Sequence, residues 1–282
     1  MHSNDHLIKL IDLWLAEDIG EGDFTTLSTI PADAEGKAKL LVKQEGIIAG
    51  VRVATEIFRR FDEDMKTRIF IPDGSFIKSG DVVFEVSGKV RSILQTERLV
   101  LNVLQRMSGV ASQTRIYVQK LEGLKTKVLD TRKTSPGMRF LEKEAVKLGG
   151  GENHRFGLYD MILIKDNHID FAGGIAKSLD CTRKYLAEHN KNLKIEIEAR
   201  SLADIREILN SGGADRILID NFSPSLTREA VKLIDGACET ESSGGITLEN
   251  LRDYAECGVD YISVGALTHQ IKSLDLSLKA TF

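Results

Sequence analysis

The chain has 282 residues, 42% of them hydrophobic, and a formal net charge of −4. That length and apolar fraction support a sizeable core in one or two domains, and the slight acidity argues against a general nucleic-acid surface, so any cationic site must be local. Cys181, Cys238 and Cys257 are odd in number and lack metal-ligand spacing, which argues against a disulfide framework or zinc site and points to a reducing, cytoplasmic setting.

In chain order, the N-terminal MHSNDHLIKL lacks the pattern of a signal peptide, and no apolar run is long enough to span a bilayer, so a soluble protein without a membrane partner is expected. Leu7, Ile8, Ile11, Leu13, Trp14 and Leu15 repeat as in an amphipathic helix over 7–16. The acidic turn EDIGEGDFTT follows. It lacks the ligand spacing of a calcium loop and reads as a helix exit with glycines at special dihedrals. Residues 37–94 are strand-rich, in KAKLLVKQEG, TRIFIPDG and DVVFEVSGKVRSIL, with the short helix VRVATEIFRRF among them. Within them DGSFIKSGDVVFEVSG resembles the hammerhead of lipoyl and biotinyl carriers. It offers no modifiable lysine at a hairpin tip, so it is read as scaffold. Residues 96–121 read as helix in two pieces parted at Ser108-Gly109, with Leu99, Val100, Val103, Leu104 and Met107 on the apolar face.

From Lys127 the pattern changes. Short apolar strands are predicted at 127–133, 161–167, 194–200, 216–222, 238–245 and 261–267, alternating with helical stretches such as LADIREILNSG, SLTREAVKLID and LENLRDYAECG. Such repeating units predict a parallel α/β barrel or a doubly wound sheet, and no GxGxxG follows the first strand to mark a Rossmann fold. The strands end in Asp130, Arg132 and Lys133; in Lys165, Asp166, Asn167 and His168; in Asp220 and Asn221; in Glu241, Ser243, Gly244 and Gly245; and in Gly265, while the third carries Glu196 and Glu198. In a parallel barrel these ends converge on one rim, where active sites are built. Alternation puts Met161, Leu163 and Lys165 on one face, and Glu196 with Glu198 on another. Interior carboxylates need cations, for which Arg132, Lys133 and Lys165 are the candidates.

Two glycine-bearing ends, SSGGIT (242–247) and VGALTH (264–269), suit a phosphate: glycine lets backbone N–H groups approach its oxygens at the late strands of a barrel. The glycines at 149–151 differ. They follow the helical FLEKEAVKL, whose Leu141, Ala145 and Leu148 share a face, and no Lys-Ser/Thr follows them in P-loop spacing. They are expected to end that helix and turn the chain so that His154 and Arg155 face the rim. Arg132, Lys133, His154, Arg155 and Lys165 then form a cationic cluster suited to carboxylates.

At this point DTRKTSPGMRFLEKEAVKLGGGENHRFGLYDMILIKDNHI, supported by EDIGEGDFTT, TERLVLNVLQRMSGVAS, IEIEAR, LIDNF, SSGGIT and ISVGALTH, resembles the quinolinate phosphoribosyltransferase family over essentially the whole chain. The resemblance implies transfer of phosphoribosyl from 5-phosphoribosyl 1-pyrophosphate, with Mg2+, to quinolinate. The products are nicotinate mononucleotide, pyrophosphate and carbon dioxide, at the entry to de novo NAD synthesis. It implies an N-terminal α/β sandwich (1–110, with the leading helix) beside an incomplete α/β barrel of about six strands (111–271), the tail 272–282 packing back onto the first domain. It also implies a homodimer with shared sites, in some cases a hexamer. Carried over by position, Arg132, His154, Arg155 and Lys165 would hold the two carboxylates of quinolinate, with Arg98 reaching in from a partner subunit. Lys133 would lie between the substrates, and Glu198 and Asp220 would face the ribose and the magnesium-bound pyrophosphate as candidate metal ligands, directly or through water. Ser243, Gly244, Gly245, Gly265 and Ala266 would cradle the 5′-phosphate, His269 beside them. Lys133, Lys165, Glu198 and Asp220 would be the catalytic group, while Asp130, Asp166 and Glu196 would support the ligand-facing residues.

Two other readings remain at this level. Lys165 at a strand end could form a Schiff base as in class I aldolases, which leaves Arg132, His154 and Arg155 without a task. A divergent branch associated with molybdenum transport shares the architecture, but its cationic blocks are expected to differ, whereas NHR and KDNH are intact here.

Overall fold

A computed structural model of the chain describes residues 3–281. Met1, His2 and Phe282, at the outer ends of the expected domains and of the N-terminal reading, lie outside the described residues. The first elements are α1 (Ser3–Ile19), α2 (Phe24–Thr29), β1 (Glu35–Val42), β2 (Gly46–Ile47), α3 (Val51–Phe61), β3 (Lys66–Ile69), β4 (Phe76–Ile77), β5 (Val82–Lys89) and α4 (Val90–Lys120). There follow β6 (Lys127–Leu129), α5 (Arg139–Leu148), β7 (Ile162–Ile164), α6 (Asp166–Ala172), α7 (Ile175–Glu188), β8 (Ile195–Ala199) and α8 (Leu202–Ser211). The last are β9 (Arg216–Asp220), α9 (Pro224–Ile234), β10 (Glu239–Ser243), α10 (Leu251–Ala255), β11 (Tyr261–Ser263), α11 (Ala266–His269) and β12 (Leu276–Thr281). No helix among the described residues is long and apolar enough to cross a membrane.

The chain forms two compact units: residues 1–115 with 135–150 and 271–282, and residues 116–134 with 151–270. The first holds an antiparallel sheet in the order β12-β1-β5-β3. The period-two pattern of β1 buries Ala38, Leu40 and Val42, and α3 buries Val53, Ala54, Ile57 and Phe58 at helical spacing. Phe58 meets Phe84 of β5 edge to face at 6.0 Å, and the C-terminal β12 pairs along β1 from Lys37↔Thr281 to Val42↔Leu276. In the acidic turn, Gly20 and Gly22 take positive φ (+52° and +137°), and Asp23 caps α2 by accepting the Thr26 N–H at 3.0 Å.

Two sequence expectations change here. The segment RSIL is helical rather than strand, because α4 begins at Val90. Nor does Ser108-Gly109 break α4, which runs unbroken through Lys120. Ser108 is buried, its Oγ accepting from Ala49 N at 3.0 Å and donating to Ala49 O at 3.2 Å. At Gly109 an added Cβ would come within 3.1 Å of Lys272 C and Ser273 Cα. The pair serves close backbone approach, not interruption of the helix.

The helix α5 also departs from its expected face. Leu141 and Ala145 are buried, but so are Glu142 and Lys143, while Leu148 is half-buried. Glu142 is saturated: Arg106 Nη2 and Nε donate to its Oε1 at 2.6 and 3.0 Å, and Ser135 N–H donates to Oε2 at 3.2 Å. Gly149 ends α5, where a Cβ would press on Thr114 Cβ at 2.6 Å, and Gly150 turns the chain at φ +96°.

The second unit is the parallel six-stranded sheet β6-β11-β10-β9-β8-β7, with helices α6–α10 in the connections from β7 to β11 and α11 after β11. Bonding runs through five neighbouring pairs and leaves the ring open between β6 and β7, so the fold is the expected incomplete α/β barrel. The strands are shorter than predicted. Their apolar cores, such as Ile217, Leu218 and Ile219, form the ladders, and the polar residues that follow leave the sheet and build the rim.

Candidate active site

One cavity of about 1060 Å³ opens at the C-terminal ends of these strands. Arg132, Lys133, His154, Arg155, Lys165, Glu198, Asp220, Ser243, Gly244, Gly245, Gly265, Ala266 and His269 all line it, most from strand ends or the segments that follow them, and His154 and Arg155 from the loop between α5 and β7. Arg98 does not: it lies exposed on α4, in the other compact unit.

The glycine-bearing ends are shaped by contact. Gly244 (φ +90°) sits where a Cβ would strike Asn221 Cγ at 2.6 Å, whereas Gly245 (φ +61°) faces open space. At Gly265 a Cβ would meet His269 Nε2 at 2.8 Å and Lys133 Cδ at 3.0 Å, so only glycine lets these side chains close around bare backbone. Thr268 Oγ1 donates to Lys133 O at 2.8 Å and holds that residue to the same corner. An anion placed here meets backbone N–H groups, Lys133 and His269.

Next to this corner, where Asp220 of β9 pairs in register with Ser243 of β10, the rim is carboxylate-rich. Glu198 is buried and its pKa is raised, by burial first and then by the charges of Asp220 and Asp166, with Lys165 opposing. Asp220 is bridged by the Asn221 amide at 2.5 Å, Asn221 itself adopting φ +56°, a conformation asparagine tolerates. Clustered hard oxygen donors with so little offsetting cation fit a divalent ion such as Mg2+, so Glu198 and Asp220 are the residues that could hold one. His154, Glu196 and Glu241 also bring donor atoms within 4.8 Å of one another. There, however, Arg216 Nη1 already donates to Glu241 Oε2 at 2.8 Å, so a metal would displace a built ion pair.

The loop carrying His154 and Arg155 is pinned at each step. His154 N–H donates to Asp130 Oδ1 at 2.9 Å, and Phe156 and Gly157 N–H groups donate to Asp160 at 2.6 and 2.8 Å. Arg155 N–H donates to His154 Nδ1 at 2.7 Å, and Arg155 Nη1 donates to Met161 O at 3.3 Å. The Arg155 guanidinium is pushed below its usual pKa by burial first and then by the charge of Arg132, with Glu196 and Asp160 opposing. Both ring nitrogens of His154 face protein: Nδ1 meets the Arg155 N–H, and Nε2 lies 2.8 Å from Glu196 Oε2 and 3.5 Å from Glu241 Oε2.

Beneath this loop lies a network that the sequence reading missed. The interior Glu196 meets His154, Arg155 and Arg216 rather than the expected Arg132, Lys133 and Lys165. Arg216 opens β9, in register with Glu196 on β8 and Glu239 on β10. It donates to Glu239 Oε2 at 3.0 and 3.2 Å and to Glu241, and stacks 4.0 Å from the Tyr261 ring centre. The available signal was glutamates spaced by two on β8 and β10, flanking a strand that starts with arginine.

A six-stranded open barrel whose rim joins a bare-backbone anion corner, a carboxylate patch and a cation cluster suits a transferase of phosphorylated sugars acting on an acidic acceptor. The comparisons give the particular family. Residues 23–108 match the family model "Quinolinate phosphoribosyl transferase, N-terminal domain" and residues 110–279 its C-terminal domain. A Bacillus subtilis protein named as a probable carboxylating nicotinate-nucleotide pyrophosphorylase is 44% identical, over 98% of this chain and 93% of its own length. A chloroplastic carboxylating nicotinate-nucleotide pyrophosphorylase of Arabidopsis thaliana is 41% identical, over 99% of this chain and 84% of its own. The solved nicotinate-nucleotide pyrophosphorylase of Francisella tularensis superposes with a TM-score of 0.93 at 39% identity, covering 99% of this chain and 97% of that one. The chain belongs to the quinolinate phosphoribosyltransferase family, and it is a pentosyl-transferring enzyme.

Proposed function

We propose that this cavity transfers phosphoribosyl from 5-phosphoribosyl 1-pyrophosphate to quinolinate and releases pyrophosphate, carbon dioxide and nicotinate mononucleotide, a step of NAD biosynthesis. The observation that carries the reading is the division of one cavity into a cation cluster, a carboxylate patch and a glycine-lined anion corner.

Arg132, Arg155 and Lys165, with His154 in the wall, hold the two carboxylates of quinolinate. Ser243, Gly244, Gly245, Gly265 and Ala266 receive the 5′-phosphate, with His269 and Lys133 against it. Glu198 and Asp220 face the ribose and would hold Mg2+, which when bound neutralises the pyrophosphate as it leaves. As the bond to pyrophosphate breaks, positive charge develops at the anomeric carbon, and the adjacent carboxylates stabilise it. The pyridine nitrogen, fixed by the carboxylate clamps, attacks that carbon. The resulting cationic ring accepts the electron pair left by the departing carboxyl group, and a proton replaces it. No covalent enzyme nucleophile is needed, which leaves Lys165 as a clamp rather than a Schiff base.

The test is product formation from the two substrates, with calorimetric binding of each to Arg155→Ala. Loss of one charge-assisted clamp should weaken quinolinate by about 30-fold or more and leave phosphoribosyl pyrophosphate within about threefold. Equal losses for both ligands would sink the assignment.

We also propose a homodimer, or a hexamer built from it, in which Arg98 of one subunit completes the acid pocket of the other. The support is its exposure on α4 and its place in the TERLV block. Mixed, exchanged dimers of Arg98→Ala and Lys133→Ala should regain about a quarter of wild-type activity on statistical grounds, and no recovery counts against sharing. Three free cysteines agree with a cytoplasmic setting.

A further inference from the structure

Asn221 lines the cavity and has no task in the mechanism above. It is the first residue beyond β9, and its N–H donates to Ser243 O at 2.9 Å, one step past the register pair of Asp220 and Ser243. There its backbone turns to φ +56°. Among the described residues two other non-glycines take positive φ, Asn190 and Asp235, and both stand at helix exits: Asp235 caps α9, and Asn190 follows the cap of α7. Left-handed residues commonly end helices. Asn221 instead leaves a strand, at the rim. Glycine would take that dihedral at lower cost, so φ alone does not call for this side chain.

The side chain is held from two sides. A carboxylate only accepts hydrogen bonds, so the amide turns its nitrogen to Asp220, and Nδ2 donates to Asp220 Oδ2 at 2.5 Å. The oxygen edge then faces Gly244, where a Cβ would meet Asn221 Oδ1 first, Cγ at 2.6 Å and the backbone N at 2.8 Å. One planar amide is thus wedged between the carboxylate that ends β9 and the glycine turn that follows β10. In the assignment above these are the two halves of one ligand site: Asp220 faces the ribose, and Ser243, Gly244 and Gly245 receive the 5′-phosphate. The backbone bond to Ser243 O joins the same two segments a second time.

We propose that Asn221 is a positioning residue for phosphoribosyl pyrophosphate: by tying Asp220 to the Gly244 turn, it fixes the spacing between the ribose-facing carboxylate and the 5′-phosphate corner before the ligand arrives. A carboxylate free to rotate, beside a glycine turn free to flex, would have to be ordered by the ligand, and that cost would appear as lost affinity. Quinolinate, assigned to Arg132, Arg155 and Lys165, uses neither segment, so its binding does not depend on the tie.

This rests on the assignment of phosphoribosyl pyrophosphate to the corner, and the experiment separates the two. Phosphoribosyl pyrophosphate with Mg2+, and quinolinate alone, are titrated by calorimetry into the full-length wild type, Asn221→Gly and Asn221→Asp. Glycine keeps the dihedral and removes the amide; aspartate keeps the shape and removes the donor. The urea midpoint of Asn221→Gly should stay near that of the wild type, while phosphoribosyl pyrophosphate binds about five- to tenfold more weakly and quinolinate stays within about twofold. Asn221→Asp, which also sets a like charge against Asp220, should lose at least as much. Asp220→Ala supplies the readout that a mere loosening of the turn would not move: in that background Asn221→Gly should cost less than about twofold, because the group it orients is gone. Unchanged phosphoribosyl pyrophosphate affinity in the folded variants, an equal loss for quinolinate, or the full loss persisting in the Asp220→Ala background overturns the proposal. Failure of the wild type to bind phosphoribosyl pyrophosphate overturns the assignment of the ligand, and this inference with it.

Discussion

Glu142 in the first compact unit and Glu196 in the second are both fully buried carboxylates on regular secondary structure, yet they are furnished differently. Glu142 receives two donors from Arg106 and one from the Ser135 backbone, each group matched to one of its oxygens. Glu196 faces a second acidic side chain, an imidazole and an arginine whose donors go to Glu239 and Glu241. Burial alone therefore does not mark a site. What separates an ion pair that holds helices from a group poised to change protonation is how many of its lone pairs find donors.

The larger effect should come from the saturated site. Glu142→Ala strips a buried pair of one partner and leaves the Arg106 guanidinium without this carboxylate, a change worth about 3–5 kcal/mol of stability. Urea unfolding measures it. A loss under about 1 kcal/mol would mean that the pair is not structural, and the contrast with Glu196 would collapse. Since Glu142 lies outside the cavity lining, quinolinate affinity of the folded fraction should hold.

Much of this contrast was hidden in the sequence for a physical reason. Strands were legible because each carries an apolar core, as in RILID and IEIEA, and the rim was legible because polar residues cluster where those cores end. Both signals are local. The α5 helix misled because periodicity counts only apolar residues, whereas Glu142 and Lys143 are buried as charged ones. Ser108-Gly109 misled because a glycine breaks helices only when nothing needs the space it leaves; here Lys272 and Ser273 occupy it. The Arg216 network required register: residues 196, 216, 239 and 241 meet only because β8, β9 and β10 pair in parallel. Arg98 was picked out by its motif, and in the single chain it is exposed and is not among the residues that line the cavity.

The smaller effect, and the sharper one, belongs to the unsaturated pair. Both its carboxyls stand at about 7 in the folded protein, above the ordinary glutamate value of 4.5, because burial disfavours the charged form. The native state therefore binds protons that the unfolded chain has released over that interval. The stabilisation is complete below about pH 4.5 and is lost as the pH rises to about 7, beyond which it contributes no further slope. Other acids, such as Asp62, which Ser92 holds below its usual pKa, push in the opposite direction at lower pH, so the wild type alone cannot isolate the pair. The difference between the wild type and Glu196→Gln/Glu241→Gln can. Unfolding free energies at pH 5, 6, 7 and 8 should show the wild type losing about 1–3 kcal/mol relative to the double variant, most of it before pH 7.5. Glu142→Gln, compared in the same way, should leave that slope in place, because it touches neither member of the pair. Parallel curves for the wild type and the double variant would mean that Glu196 and Glu241 are as well compensated as Glu142, through donors that the network of Arg216 and His154 does not provide.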